Sequence, residues 1–352
     1  MNIVIAAGGT AGHINPGIAI ADKIREKHKD AKIHFIGTEY GLEGKLVTKA
    51  GYPIHYIHSK GLSKNPIKLC KSMYYNMKGV FEAKNILKKL HPKVVIGMGG
   101  YVCGPVLFAA KKMLNLPVFI HESNSVAGKT NKLVGNFADG IAVGFSKTKE
   151  DFAGKAVFVT GNPIRQDFMN LARQLKEEKT VLIFGGSQGA RAINNAVVEF
   201  LGNYKELPYR IIYATGEKQY DVVMNELKER NVSLNNKVEI KAYIDDMPKA
   251  LAEASLVVSR AGALTLSELE ACGVPAILIP LPTAAENHQE KNARMFETEG
   301  KAKVILEREL TSTKLKITID EMLNDEKYMI LKGVSNRACD NFYEMIEKYL
   351  VK

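Results

Sequence analysis

The chain has 352 residues, enough for about two domains at roughly 150 residues each. Its 46% hydrophobic and 25% charged residues suit a folded globular protein and exclude disordered, collagen-like and disulfide-scaffold chains. Lys and Arg number 49 against 38 Asp and Glu, so the net charge is +11 with neutral histidines. That excess fits a soluble basic protein, an anionic membrane surface or phosphorylated substrates. With no basic run of five or more and no aromatic-studded basic strand, it argues against nucleic acid.

Short apolar, β-branched runs alternate with helical segments from end to end. Strands are expected at residues 2–7, 32–37, 54–57, 94–98, 117–121, 140–144 and 157–161. Helices fall between them at 16–28, 42–50, 67–89, 104–114 and 127–136, the first with Pro16 in its opening turn. Gly161, Asn162 and Pro163 then break the pattern, and it starts again. The second set of strands is 180–184, 211–214, 238–243, 256–259, 276–279 and 303–306. Its helices are 190–201, 217–229, 247–254, 264–271 and 288–299, and further helices run from 311 to 350. This is the βα alternation of two doubly wound, parallel, Rossmann-like halves.

Nothing in the chain reads as a membrane span. The longest uncharged stretch, residues 94–110, carries Gly97, Gly99, Gly100, Gly104 and Pro105, which suit a strand, a loop and a helix start. The first apolar run has no basic segment ahead of it and reads as a strand, not a signal peptide. Cys70, Cys103, Cys272 and Cys339 are far apart, without zinc spacing, and fit reduced thiols in a cytoplasm.

Three glycine loops follow strands: residues 8–13 (GGTAGH), 97–105 (GMGGYVCGP) and 185–191 (GGSQGAR). Glycine lets backbone approach a ligand, and the orphan N–H groups of the next helix attract an anion. None matches G-x-G-x-x-G, and GxxxxGK[ST] is absent, so dinucleotide and P-loop readings fall away. Loops of this kind in both halves suit partners that carry a diphosphate. Asp245 and Asp246 are adjacent rather than spaced as Asp-x-Asp, and read as a helix N-cap.

Seven segments occur in order: GGTAGHINP at 8–16, GMGGYVCGP at 97–105, HESNSVAGKTNK at 121–132, GNPIR at 161–165, GGSQGAR at 185–191, SRAGALTLSE at 259–268 and HQEKNA at 288–293. Together they resemble the MurG family, bacterial UDP-N-acetylglucosamine:lipid I N-acetylglucosaminyltransferases of peptidoglycan synthesis. The resemblance implies a GT-B fold, two Rossmann-like parallel-sheet domains facing a central cleft. Residues 1–162 would bind the acceptor and face the membrane, and 163–335 would bind UDP-GlcNAc. Residues 336–352 would form a helix returning to the N-terminal domain. It also implies inverting transfer of GlcNAc to the C4 hydroxyl of MurNAc in undecaprenyl-diphospho-MurNAc-pentapeptide, with UDP leaving and no metal or other cofactor. The alternatives are another GT-B UDP-sugar enzyme, a UDP-GlcNAc 2-epimerase among them, and a non-catalytic nucleotide-sugar-binding subunit.

Carried over residue by residue, the resemblance gives expectations for the site. Ser187 would touch the donor phosphate, the main chain of Ile244 the uracil, and Arg165 the donor. Ala263, Leu264, Thr265, Leu266, Ser267 and Glu268 open a helix whose N-terminus would face the diphosphate, with Glu268 on the ribose diol. Gln289 and Asn292, at i and i+3, would read the donor sugar, joined by Asn124. Thr10, Ala11 and Gly12 form the loop nearest the cleft and also count toward the donor site. His13 is the candidate base or sugar-orienting group, or else a helix cap; Glu122 is a second catalytic candidate. Gly99, Gly100, Tyr101 and His121 are assigned to the acceptor. Residues 60–89 interleave lysines with Ile67, Leu69, Met73, Tyr74, Met77 and Phe81, as either a helix packed on the sheet or a membrane contact. A polyprenyl acceptor favours peripheral binding at the cytoplasmic face of the cell membrane, with an anionic surface and cell-wall synthesis proteins as partners.

Overall fold

The computed structural model describes every residue except 62–64, 170–176, 187, 205 and 352, and leaves aside the Lys68 side chain. The chain divides into two units, Met1–Arg165 with Asn336–Lys352, and Gln166–Ser335. The break thus falls after Arg165 rather than after Asn162, because Asn162 and Ile164 still bond to the returning C-terminal segment: Asn336 donates to the Asn162 carbonyl and Cys339 to that of Ile164.

In the first unit, β1 (Asn2–Ala6) is flanked by β2 (Lys32–Gly37) and β4 (Val94–Gly97). The full order is β3-β2-β1-β4-β5-β6-β7, all parallel, with β3 (Ile54–Tyr56), β5 (Val118–Glu122), β6 (Gly140–Val143) and β7 (Val157–Val159). Both faces of β1 are apolar, as an interior parallel strand requires. Ile3 and Ile5 enter one core and Val4 and Ala6 the other. Helices α1 (Ala11–Lys27), α2 (Glu43–Lys49), α3 (Pro66–Leu90), α4 (Cys103–Phe108) and α5 (Lys129–Gly135) connect the strands.

Helix α1 begins five residues before Pro16, which therefore lies inside it and not in its first turn. Pro16 has no N–H for the Gly12 carbonyl, and the helix tolerates this because the buried face from Ile14 to Ile24 packs on the sheet. Helix α4 runs into a π-helical turn, Ala109–Met113.

The second unit repeats the scheme in six strands, β10-β9-β8-β11-β12-β13, again all parallel. They are β8 (Thr180–Phe184), β9 (Arg210–Ala214), β10 (Val238–Lys241), β11 (Leu256–Ser259), β12 (Ala276–Leu278) and β13 (Ala302–Val304). The helices are α6 (Arg191–Asn203), α7 (Tyr220–Glu229), α8 (Met247–Glu253), α9 (Ala263–Cys272), α10 (His288–Thr298), α11 (Ser312–Asn324) and α12 (Glu326–Met329). The last helix, α13 (Ala338–Leu350), places Phe342, Tyr343, Ile346 and Leu350 in the core of the first unit beside Ile3, Ile5 and Phe119.

In each sheet the strand order reverses once at the middle, between β1 and β4 and between β8 and β11. Such a switch point leaves a crevice outside the carboxyl ends of the two strands, where open α/β sheets bind ligands. All three glycine loops lie there, following β1, β4 and β8, and the segment 260–262 follows β11.

Candidate active site

The first unit's site starts from two loops pressed together. Gly99 and Gly100 both have positive φ, +99° and +83°. A Cβ on Gly100 would lie 2.5 Å from the Gly8 carbonyl oxygen, and one on Gly99 2.8 Å from the His13 ring. Only glycine permits this backbone and this approach. His13 sits in the first turn of α1 with its imidazole against those glycines and Nδ1 3.3 Å from the Gly8 carbonyl. That carbonyl can only accept, so Nδ1 carries a proton, and in the neutral form of the ring Nε2 holds the lone pair. Thr10 is the N-cap residue, and its carbonyl receives the His13 N–H; Ala11 and Gly12 supply orphan N–H groups of the helix start.

The residue that fixes these loops is Glu43, which sequence reasoning missed. It is fully buried at the start of α2. Oε1 accepts from the Thr38 N–H at 2.8 Å and the Thr38 hydroxyl at 2.7 Å, and Oε2 from the Gly9 N–H at 3.2 Å. Because the Thr38 proton goes to Glu43, the Tyr101 hydroxyl, 3.4 Å away, must donate to Thr38 Oγ1. Tyr101 Oη is then left with acceptor character toward any ligand. The sequence signal was Gly37 and Gly41, whose missing side chains leave room for the carboxylate.

The end of β5 corrects two expectations. Glu122 is buried, and each of its oxygens takes two donors: Oε1 the Asn124 N–H and Nδ2 at 3.0 and 3.1 Å, Oε2 the Gly128 N–H and Asn131 Nδ2 at 2.9 and 2.8 Å. It positions the loop carrying Asn124 and offers no open carboxylate for catalysis. His121 has no exposed surface; Nε2 meets the Gly161 carbonyl at 3.0 Å and Nδ1 the Ser123 hydroxyl at 3.3 Å. Burial pushes its pKa down. His121 braces the end of the sheet and cannot touch an acceptor. Asn131 was also missed, a buried amide that ties Glu122 to the His121 carbonyl.

In the second unit, Ser187 lies outside the described residues. Around it, Gly186 has φ +90° and open space where a side chain would be, while Gly189 packs on the Thr215 carbonyl. Helix α9 starts at Ala263 after Gly262, so its first N–H groups face the loops at the switch point. Leu264, Thr265 and Glu268 are half-buried on its outer side. Leu266 is wholly in the core and Ser267 is buried with its hydroxyl donating to the Ala263 carbonyl, so neither side chain reaches a ligand. The loop before α9 is held by Arg260, which donates to the carbonyls of Ile279 and Pro280 at 3.1 and 3.2 Å and pairs with Glu307 at 2.5 Å.

Ile244 is buried between exposed Tyr243 and Asp245. Asp246 caps α8, accepting the Lys249 N–H at 3.0 Å. Gln289 accepts the Leu281 N–H at 3.0 Å. Asn292, expected on the donor sugar, is fully buried and donates to the Ala261 carbonyl at 3.3 Å. It ties α10 to the loop before α9. Arg165 is the last residue of the first unit, half-buried.

Helix α3 has two apolar faces. Ala83 and Leu87 are buried, and Gly79 lies so close to the His58 carbonyl that a Cβ would meet it at 2.1 Å. Ile67, Met73, Tyr74, Met77 and Phe81 are exposed, Ile67 to 81%, whereas Leu69 is half-buried. Among the described residues no helix is long and apolar enough to cross a membrane.

Two family models cover most of the chain: the glycosyltransferase family 28 N-terminal domain over residues 3–143 and the family 28 C-terminal domain over 180–348. A relative from Acetivibrio thermocellus, named UDP-N-acetylglucosamine–N-acetylmuramyl-(pentapeptide) pyrophosphoryl-undecaprenol N-acetylglucosamine transferase, is 43% identical over 99% of this chain and 98% of its own. The crystal structure of Acinetobacter baumannii MurG, 29% identical, covers 99% of each chain with a TM-score of 0.77. A UDP-GlcNAc 2-epimerase from Neisseria meningitidis matches all of both chains with a TM-score of 0.68 at 12% identity, a likeness of fold alone. With two parallel Rossmann-like sheets, both family 28 domains and a full-length match to MurG-named relatives, the chain belongs to the MurG family of GT-B glycosyltransferases.

Proposed function

We propose that this protein transfers GlcNAc from UDP-GlcNAc to the C4 hydroxyl of MurNAc in lipid I, with inversion at the anomeric carbon. The observation that carries the reading is that four of the seven segments resembling the MurG family, 8–16, 97–105, 185–191 and 259–268, lie at the carboxyl ends of the strands that form the two switch points, β1, β4, β8 and β11. In the displacement, the acceptor oxygen bonds to C1 while the bond from C1 to the UDP β-phosphate oxygen breaks. The hydroxyl proton passes to a base, and the negative charge leaves on UDP.

The second unit supplies what a departing diphosphate needs: a glycine loop with open backbone after β8 and the start of α9 after β11. The first unit supplies what the nucleophile needs. His13 Nε2 takes the proton, and its ring is held by the Gly8 carbonyl and the paired glycines. Metal-free chemistry belongs to the same proposal. So does peripheral docking at the cytoplasmic membrane face through the exposed stripe of α3, with exposed Lys71 and Lys78 among its residues.

The test is incubation of the full chain with radiolabelled UDP-GlcNAc and a lipid I analogue. Labelled disaccharide-lipid is expected; labelled UDP-N-acetylmannosamine, or no turnover, would overturn the reading. His13→Ala should lower turnover by about 10²–10⁴-fold with the fold intact.

A further inference from the structure

Beside the second glycine loop, the first unit has a cavity of about 530 Å³ lined by Tyr40, Ser59, Lys60, Lys71, Ser72 and Tyr101. Its volume is that of a small-ligand site. Resting on the transferase reading, we propose that this cavity holds the diphosphate of the polyprenyl-linked acceptor, with Lys60 and Lys71 as its cationic clamp.

The walls are built and fixed. Ser59 is fully buried, and its carbonyl accepts from the Tyr40 hydroxyl. Asn76 holds Lys60 from both sides, accepting its N–H and donating to its carbonyl, each at 3.0 Å. The Ser72 hydroxyl donates to the Gly61 carbonyl at 3.0 Å. The two cations are not neutralised. Lys60 Nζ lies 4.5 Å above the Tyr75 ring, and neither lysine pairs with an acid among the described residues, whereas Lys78 meets Glu82 and Lys111 meets Asp139. Lys60 is half-buried and Lys71 exposed, and two ammonium groups lining one concavity without a carboxylate between them select an anion.

The order of groups names which anion. Ile67, Lys71 and Tyr74 stand at i, i+4 and i+7 of α3 and share a face, with Ile67 and Tyr74 exposed. Across the cavity, Tyr101 Oη points acceptor character outward, since its proton goes to Thr38. Apolar stripe, lysines and hydroxyl-binding tyrosine repeat the order of chain, diphosphate and sugar in the acceptor. The first glycine loop is a poorer host for that charge, because the Gly9 N–H is taken by the buried carboxylate of Glu43.

The experiment compares the full-length wild type with a Lys60→Gln/Lys71→Gln variant and a charge-matched control, Lys84→Gln/Lys88→Gln, in detergent without phospholipid. Unchanged melting curves confirm that the variants fold. Losing charged contacts should raise the acceptor KM by about 10–100-fold, leave the donor KM unchanged, and spare the control. Inorganic pyrophosphate should compete with acceptor in the wild type and at least about tenfold more weakly in the variant. An unaltered acceptor KM in the variant beside an active wild type overturns this inference and leaves the transferase reading standing. An effect that vanishes with a peptide-trimmed acceptor assigns the lysines to a peptide carboxylate, and one seen only on anionic vesicles assigns them to headgroups; either result overturns the inference. A wild type without turnover sinks the transferase reading instead, and calorimetric titration of pyrophosphate into wild type and variant then reads the cavity directly.

Discussion

The two units share a strand order but treat the backbone at their switch points in opposite ways. In the first, a buried carboxylate reaches from α2 into the loop after β1, takes the Gly9 N–H and locks Thr38 and Tyr101 in one polar chain. In the second, Gly186 in the loop after β8 has open space where a side chain would be. A bare loop before a helix is a nest for a diphosphate. A loop already holding an anion is not, and serves better to orient an imidazole and a phenol toward hydroxyl groups. Under the proposed transferase reading, the same fold serves as a leaving-group site in one unit and a nucleophile site in the other.

The largest way to break that contrast is Glu43→Ala. It strands three donors in a fully buried place, so a loss of about 4 kcal/mol is expected in denaturant titrations, with hydrogen exchange rising first in the loops 8–13 and 97–102. Its counterpart in the second unit, Asp246→Ala, removes only an exposed helix cap and should cost about 1 kcal/mol. Equal losses would mean that Glu43 is not the clamp described.

Paired glycine substitutions sharpen the point. Gly100→Ala meets both a positive φ and a carbonyl oxygen 2.5 Å from the new Cβ, so about 3 kcal/mol or more is expected. Gly186→Ala meets only the positive φ in open space, and about 1–2 kcal/mol is expected. The second change should instead weaken UDP binding, read by calorimetric titration. A smaller effect is expected on the surface: Phe81→Glu should leave turnover in detergent unchanged and lower binding to anionic vesicles, because Phe81 is exposed on α3.

Much of this architecture was legible because parallel strands buried on both faces read as short β-branched runs. The runs at 32–37, 180–184 and 256–259 match β2, β8 and β11 to the residue. The glycine loops were legible because positive φ and close approach leave few residue choices. What stayed hidden was the direction of polar side chains. Glu43 in a helix's first turn looks like any solvated glutamate until the register of β2 against β1 brings the Thr38 and Gly9 N–H groups to it. His121 and Asn292 sit in ligand-like motifs, yet both bond to carbonyls of their own unit. A sequence shows hydrogen-bonding capacity but not the partner that uses it. The start of α1 was misplaced for a related reason: a proline rule outweighed tertiary packing of the Ile14–Ile24 face.

Acid offers the gentlest test of the contrast. Seven of the eight histidines, all but His288, lie in the first unit. Burial lowers the pKa of His121, and of His34 and His55, which face each other at 3.2 Å; His55 and Lys32 depress His34 further. Arg25, Lys32 and Tyr52 line the surface around His34. Lowered folded-state values mean that the unfolded chain takes up these protons first. Their contribution to stability is therefore complete above about pH 6.5 and declines as pH falls below it, by at most about 1.4 kcal/mol per pH unit for each group. Between pH 7.5 and 5.5, protection factors, taken relative to the intrinsic exchange rate at each pH, should fall in β2, β3 and β5 and hold in β8 to β12. His55→Gln, which removes one member of the facing pair, should flatten the loss in β2 and β3 and leave that in β5. Equal acid sensitivity in both sheets, or no change with His55→Gln, would show that these three imidazoles do not set the first unit's response to pH.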